Sequence, residues 1–148
     1  MKKYTLTTES KMLHDRLVYR IQAIRSFGTV KEGDIGGWVG SESNLSHEGN
    51  CWVSDEAVVY DNAEVGGNAK VYGNAKVGGN ALVCGNAIVY GNAEVYSHAE
   101  VFGNAQVRDD AKVYGNALVC DYALVCGNAI IRDNARIFGD TKVSGVSY

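Results

Sequence analysis

The sequence predicts an all-β fold: a parallel β-helix running from about Val39 to the C-terminus, with a short non-repetitive segment at its N-terminal end. Three observations predict it. Small residues recur at every sixth position from Ala57, Ala63 and Ala69 through Ala135, with Thr141 closing the series. Two residues after each comes Val or Ile, from Val59 to Val143, with no repeat skipped. Between each aliphatic and the next small residue stands a stretch that usually ends Gly-Asn, as in Val71-Tyr72-Gly73-Asn74-Ala75.

Each unit reads as a short strand of alternating inward and outward side chains followed by a corner. Gly and Asn are the residue types that tolerate positive φ. A strand this short cannot bury its apolar side alone and must stack on copies of itself, so the chain coils. The 18 glycines and the absence of proline fit one repeated corner geometry better than assorted loops. Followed backwards, the frame pairs Cys51 with Val53, Leu45 with His47 and Val39 with Ser41, fading at each step. That frame places His47 in an inward aliphatic slot. A parallel β-helix has open ends that invite another chain, and residues 1–38 are the expected cover. They hold an alternating run, Leu17 to Ile24, and a turn-rich stretch, Phe27 to Trp38, which together read as a small β cap with one hairpin. The expected organisation is a cap over 1–38 and a β-helix over 39–148, one structural domain overall.

The net charge is −3 over 148 residues, unevenly spread. Residues 1–38 carry seven Lys/Arg against four Asp/Glu, the remainder seven against thirteen. The basic end is too weakly charged to announce DNA or RNA and reads as a solvated cap surface. The N-terminus lacks the apolar run of a signal peptide and no stretch approaches a membrane span, so a cytoplasmic protein with no membrane partner is expected.

The repeat resembles the bacterial hexapeptide-repeat superfamily, on residues such as Val65-Gly66-Gly67-Asn68-Ala69-Lys70: an aliphatic, a small or acidic residue, two variable residues, a small residue and a variable one. The likeness covers about three-quarters of the chain. It implies a triangular, left-handed β-helix of three hexapeptides per coil, assembled as a homotrimer, and acyl transfer from a thioester carrier with a histidine as general base at a subunit interface. A narrower resemblance lies in Tyr19-Arg20-Ile21, the stretch Phe27 to Trp38, and Asn44-Leu45-Ser46 followed by Asn-Ala repeats. These are similar to small bacterial and phage proteins labelled transferases.

With eighteen residues per coil the outward positions form three faces. One stacks Val58/Tyr60, Lys76/Gly78, Glu94/Tyr96, Lys112/Tyr114 and Ile130/Arg132, where Lys76, Glu94 and Lys112 form a charge-alternating ladder. A second carries Leu82, Cys84, Phe102, Leu118, Cys120 and Phe138, an apolar patch that points to self-association. A third carries Tyr72, Tyr90 and Arg108. That column and Tyr96, Tyr114 and Arg132 on the first face are candidate ligand sites, since aromatic faces stack on planar rings and guanidinium groups pair with phosphates. Cys84 and Cys120 share a column two coils apart, about 9.6 Å, beyond disulfide reach. With Cys51 inward and Cys126 on another face, all four cysteines read as reduced thiols.

Of the three histidines, His14 lies in the cap and His47 reads as a core histidine. His98 replaces a corner Asn and is the base if the chain is an acyltransferase. His47 and His98 are not separated by a whole number of coils, so no zinc site and no metal are expected, and no cofactor motif is present. The leading function is a non-catalytic oligomeric binding protein holding a small anionic ligand between subunits. The phage likeness sharpens this to a sponge for a nucleotide immune signal. A hexapeptide acyltransferase and a purely structural rod are the alternatives.

Overall fold

The computed structural model describes residues 1–145; residues 146–148, the end of the β-helix expected over 39–148, lie outside the described residues. Each hexapeptide supplies a strand of two or three residues, such as Glu94–Val95, and a corner. Glu94 pairs in parallel with both Lys76 and Lys112, each eighteen residues away. The same register holds on the second face, where Glu100 pairs with Leu82 and Leu118. It holds on the third, where Ile88 pairs with Lys70 and Gln106. The three faces are therefore the three expected columns, and the chain is a β-solenoid of three hexapeptides per coil.

Alternating layers of Ala and Val or Ile fill the interior, and nearly all are removed from water, as Ala93 and Val95 are. Alanine at one inward position and a β-branched residue two later leave a narrow bore closed from three sides, with no room for anything longer. The coils are joined by backbone bonds of near-constant length, such as Val58 N–H to the Ala75 carbonyl at 3.0 Å and Tyr60 N–H to the Val77 carbonyl at 3.0 Å. Corner residues adopt positive φ whether they are Gly or Asp: Gly67 at 61°, Asp61 at 55°, Asp109 at 60°. Asp is tolerated because its short carboxylate bonds locally. The carboxylates of Asp109 and Asp121 accept the N–H groups of Gly127 and Gly139 in the following coil, each at 2.9 Å.

Strand β1 (Tyr4–Leu13), which was not expected, and strand β2 (Arg16–Ala23) form a hairpin turned at His14, whose φ is 55°. Strand β3 (Ile35–Val39) runs antiparallel to β2 on one edge and parallel to Val58–Val59 on the other. The cap thus continues the first face as one eight-stranded sheet; the other two faces hold six and five strands. Tyr4, Ile21, Phe27 and Val30 join the solenoid core and close its N-terminal mouth.

The frame before Cys51 differs from the sequence expectation. Val39 pairs with Val59, and Leu45 bridges to Val65, so each lies twenty residues before its partner, and they, not Ser41 and His47, occupy the inward aliphatic slots. Eight residues separate Leu45 from Val53, where the repeat has six. The two extra residues lie in a wider turn through Gly49 (φ 68°) that carries His47 outside the bore. His47 stacks on Tyr4 at 4.2 Å between ring centres instead. The charge ladder is also weaker than expected: Lys76, Glu94 and Lys112 are register neighbours, but among the described residues none of their charged atoms pairs within 4 Å. No helix among the described residues is long and apolar enough to cross a membrane.

Candidate functional site

The third face brings Tyr72, Tyr90 and Arg108 together on three successive rungs. The Tyr72 and Tyr90 rings lie parallel, 4.9 Å apart with planes 7° from each other. That separation is the spacing of neighbouring strands, so the stack follows from placing the same residue on adjacent rungs. Burial is the main cause that raises the Tyr72 phenol above its usual pKa, with Tyr90 adding to it. Arg108 follows on the next rung with its side chain 33% exposed, and its nearest carboxylate oxygen, on Asp109, is 3.9 Å away. Its Nε is buried with no hydrogen-bond partner. A guanidinium held by one distant carboxylate retains donors for an incoming oxyanion.

On the first face Tyr96 and Tyr114 form a matching pair, 4.8 Å apart and 6° from parallel. Arg132 follows them, more exposed at 52%, beside Asp133 at 3.9 Å. Below this pair the column is interrupted at Gly78, where an added Cβ would meet the Tyr60 ring at 2.3 Å. Tyr60 folds over the glycine, and the Arg16 guanidinium lies over Tyr60 at 5.5 Å from its centre while pairing with Asp61. A cleft of about 360 Å³ opens between Arg16, Tyr60, Glu94 and Tyr96. Asp61 already neutralises Arg16 there and Glu94 adds negative charge, so this cleft repels an anion.

On the second face Leu82, Cys84, Phe102, Leu118 and Cys120 are half-buried and Phe138 is 61% exposed. Burial raises the thiol pKa of both Cys84 and Cys120. All four cysteines are free. Cys126, counted among the outward positions, is buried, its thiol directed at the Val143 carbonyl at 3.8 Å.

His98 is exposed at its corner, where its backbone N–H bonds the Gly115 carbonyl at 2.8 Å. It lines neither of the two clefts formed by Glu42, His47 and Glu64 and by Arg16, Tyr60 and Glu94. His47 lies beside a cleft of about 470 Å³ that also holds Glu42 and Glu64. Its Nδ1 accepts the Lys3 backbone N–H at 3.1 Å, and its pKa is lowered, chiefly by burial. Among the described residues no three His, Cys, Asp or Glu side chains are grouped to hold a metal ion.

Two of the cap's basic residues, Arg20 and Lys11, expected as part of a solvated surface, are engaged within the fold. Arg20 lies over Trp38 at 4.4 Å, donates to the Asp55 carbonyl at 2.8 Å and pairs with Glu56 at 3.1 Å. Lys11 covers Trp38 as well, also at 4.4 Å. Arg20 and the Trp38 indole N–H together hold the Glu56 carboxyl below its usual pKa. Sequence reasoning missed this cluster because its members are scattered from Lys11 to Glu56 and are united only by the pairing of β1 with β2, of β2 with β3 and of β3 with Val58–Val59.

No protein-family model matches the sequence. Over 67 residues the chain is 34% identical to YdcK of Escherichia coli, described as an uncharacterised acetyltransferase. The match covers 40% of this chain and 21% of that protein, so the chain corresponds to about a fifth of the relative's length. Solenoid and match both fit the hexapeptide-repeat superfamily.

Proposed function

We propose that the chain is a non-catalytic oligomeric binding protein that holds a small, planar, anionic ligand between subunits. The observation that supports it is the third-face column: two parallel tyrosines followed by Arg108, whose guanidinium is partly exposed with its nearest carboxylate oxygen 3.9 Å away. A ring stacks on aromatic faces, and a phosphate or carboxylate takes the guanidinium donors. The two clefts described above are each lined by carboxylates, Glu42 and Glu64 in one and Asp61 and Glu94 in the other. An anion is thus better served where a column meets a neighbouring copy. The apolar second face, from Leu82 to Phe138, supplies a surface for that assembly as a homotrimer, and a nucleotide is the ligand class that combines ring and phosphate.

Calorimetric titration with a cyclic dinucleotide, ADP-ribose and an acyl-CoA tests the reading. A nucleotide phosphate is expected to bind, Arg108→Ala to weaken it about tenfold or more, and His98→Ala to leave it unchanged. Absence of binding by all three contradicts the proposal and favours a structural rod. The second reading, an acyltransferase using His98 as base, draws on the local likeness to a protein described as an acetyltransferase. Its signature is release of free CoA that His98→Ala abolishes.

A further inference from the structure

Where the N-terminal strand meets the wide turn of the first coil, a lysine and a cysteine are buried against each other. Lys3 and Cys51 are both 0% exposed. Lys3 Nζ lies 2.8 Å from the Cys51 carbonyl oxygen, 3.2 Å from the Gly49 carbonyl oxygen and 3.4 Å from Cys51 Sγ. It also stands 4.5 Å above the centre of the Phe27 ring. None of these hydrogen-bond partners is a carboxylate. An ammonium buried with no carboxylate in hydrogen-bond contact, and only the more distant Glu48 to favour its charge, is costly, and the group escapes the cost by losing its proton. Burial accordingly lowers the Lys3 pKa, and burial raises that of Cys51, so both groups are driven toward amine and thiol. A neutral amine has a free electron pair, and here it is already in contact with sulfur.

We propose that Lys3 Nζ and Cys51 Sγ form an oxidative cross-linking site that peroxide converts into a covalent N–O–S bridge. The reaction consumes two molecules of hydrogen peroxide and releases three of water. One N–H bond and the S–H bond break, an N–O and an O–S bond form, and the pair loses four electrons to the two peroxides. The Lys3 amine takes the thiol proton, the thiolate is oxidised by the first peroxide to sulfenic acid, the entry step of cysteine oxidation, and the borrowed proton leaves with the released hydroxide as water, which restores the amine. The 3.4 Å separation leaves space for one bridging atom, whereas a direct S–N bond requires a larger closure of the two chains. The bridge joins residues forty-eight positions apart and fastens the start of the chain to the first coil.

The test uses the full chain with Cys84→Ser, Cys120→Ser and Cys126→Ser, so that Cys51 is the sole thiol. After exposure to hydrogen peroxide, intact mass is expected to rise by about 14 Da, one oxygen gained and two hydrogens lost. Non-reducing tryptic mapping is expected to show the N-terminal peptide linked to the peptide holding Cys51, and a thiol reductant to reverse both. Further replacement by Cys51→Ser or by Lys3→Arg should remove the linked species, and so should unfolding in urea before oxidation. The proposal is overturned by unlinked gains of about 16 or 32 Da alone, by a loss of about 2 Da from a direct S–N bond, or by a 14 Da gain that survives any of these controls.

Discussion

At a corner of the prism the backbone must enter positive φ within one residue, and the next coil's corner lies directly beneath. At Gly85, with φ at 64°, an added Cβ would come within 2.9 Å of the Gly103 nitrogen. Gly85→Val is therefore expected to lower stability by about 1–3 kcal/mol in chemical denaturation, and Gly85→Asn by clearly less. The acid side of the stability profile tests a second residue, Glu56. A carboxyl whose folded pKa is depressed contributes stability above its unfolded value, and that contribution is lost as pH falls through the folded pKa. Since Arg20 and Trp38 hold the Glu56 carboxyl below the ordinary range of a glutamate, Glu56→Gln should flatten the fall of the thermal midpoint below about pH 4.5. Corner residues were legible because Gly and Asp announce their backbone by type; the Asn that follows them, expected to share the positive φ, does not adopt it. Lys3 was not, since nothing local to a lysine at the third position signals burial against a turn near residue 50.

The element that carries the fold is a two-residue rung, too short to persist outside the stack. Each rung interacts with the rungs above and below, so stability accumulates by neighbours and a central defect should cost the same wherever it is placed. Val95→Ala removes two buried methyl groups from a bore that cannot collapse around the gap, and about 2 kcal/mol of stability is expected to go with them. Val77→Ala should match it to within about 0.5 kcal/mol in urea titration; a large difference would mean that the coils are not energetically equivalent. Rungs and faces were readable from Ala57 onward because a period of six with an invariant in-out alternation admits one register. The first coil was not. Carried backwards at a strict period of six, the frame put Leu45 and Val39 in the small-residue column and His47 and Ser41 in the aliphatic one, so it only faded and gave no sign of where residues were inserted. The two-residue insertion before Cys51 shows only in the pairing of Leu45 with Val65. Strand β1 was missed for a related reason: its alternation is broken by the register shift between Leu6 and Ser10.

Over the whole molecule, the solenoid turns a sequence period into three flat faces of different chemistry. The apolar face from Leu82 to Phe138 is the one on which assembly is proposed, and Leu118→Arg should yield a monomer in sedimentation velocity with its far-ultraviolet β spectrum retained. The columns of tyrosine and arginine were legible in position, since the coil length set which residues stack. Their geometry was not: nothing in the sequence said that each tyrosine pair would close face to face, or that Arg108 would keep a buried, unpartnered Nε while Arg132 stands in solvent. The central claim joins assembly to binding, and native mass spectrometry reads both together. Freshly purified protein, alone and with a cyclic dinucleotide, is expected to appear as a trimer that takes up to three intact ligands, with uptake lost in Arg108→Ala and the trimer retained. A monomer, or a trimer that takes up no nucleotide, would contradict it.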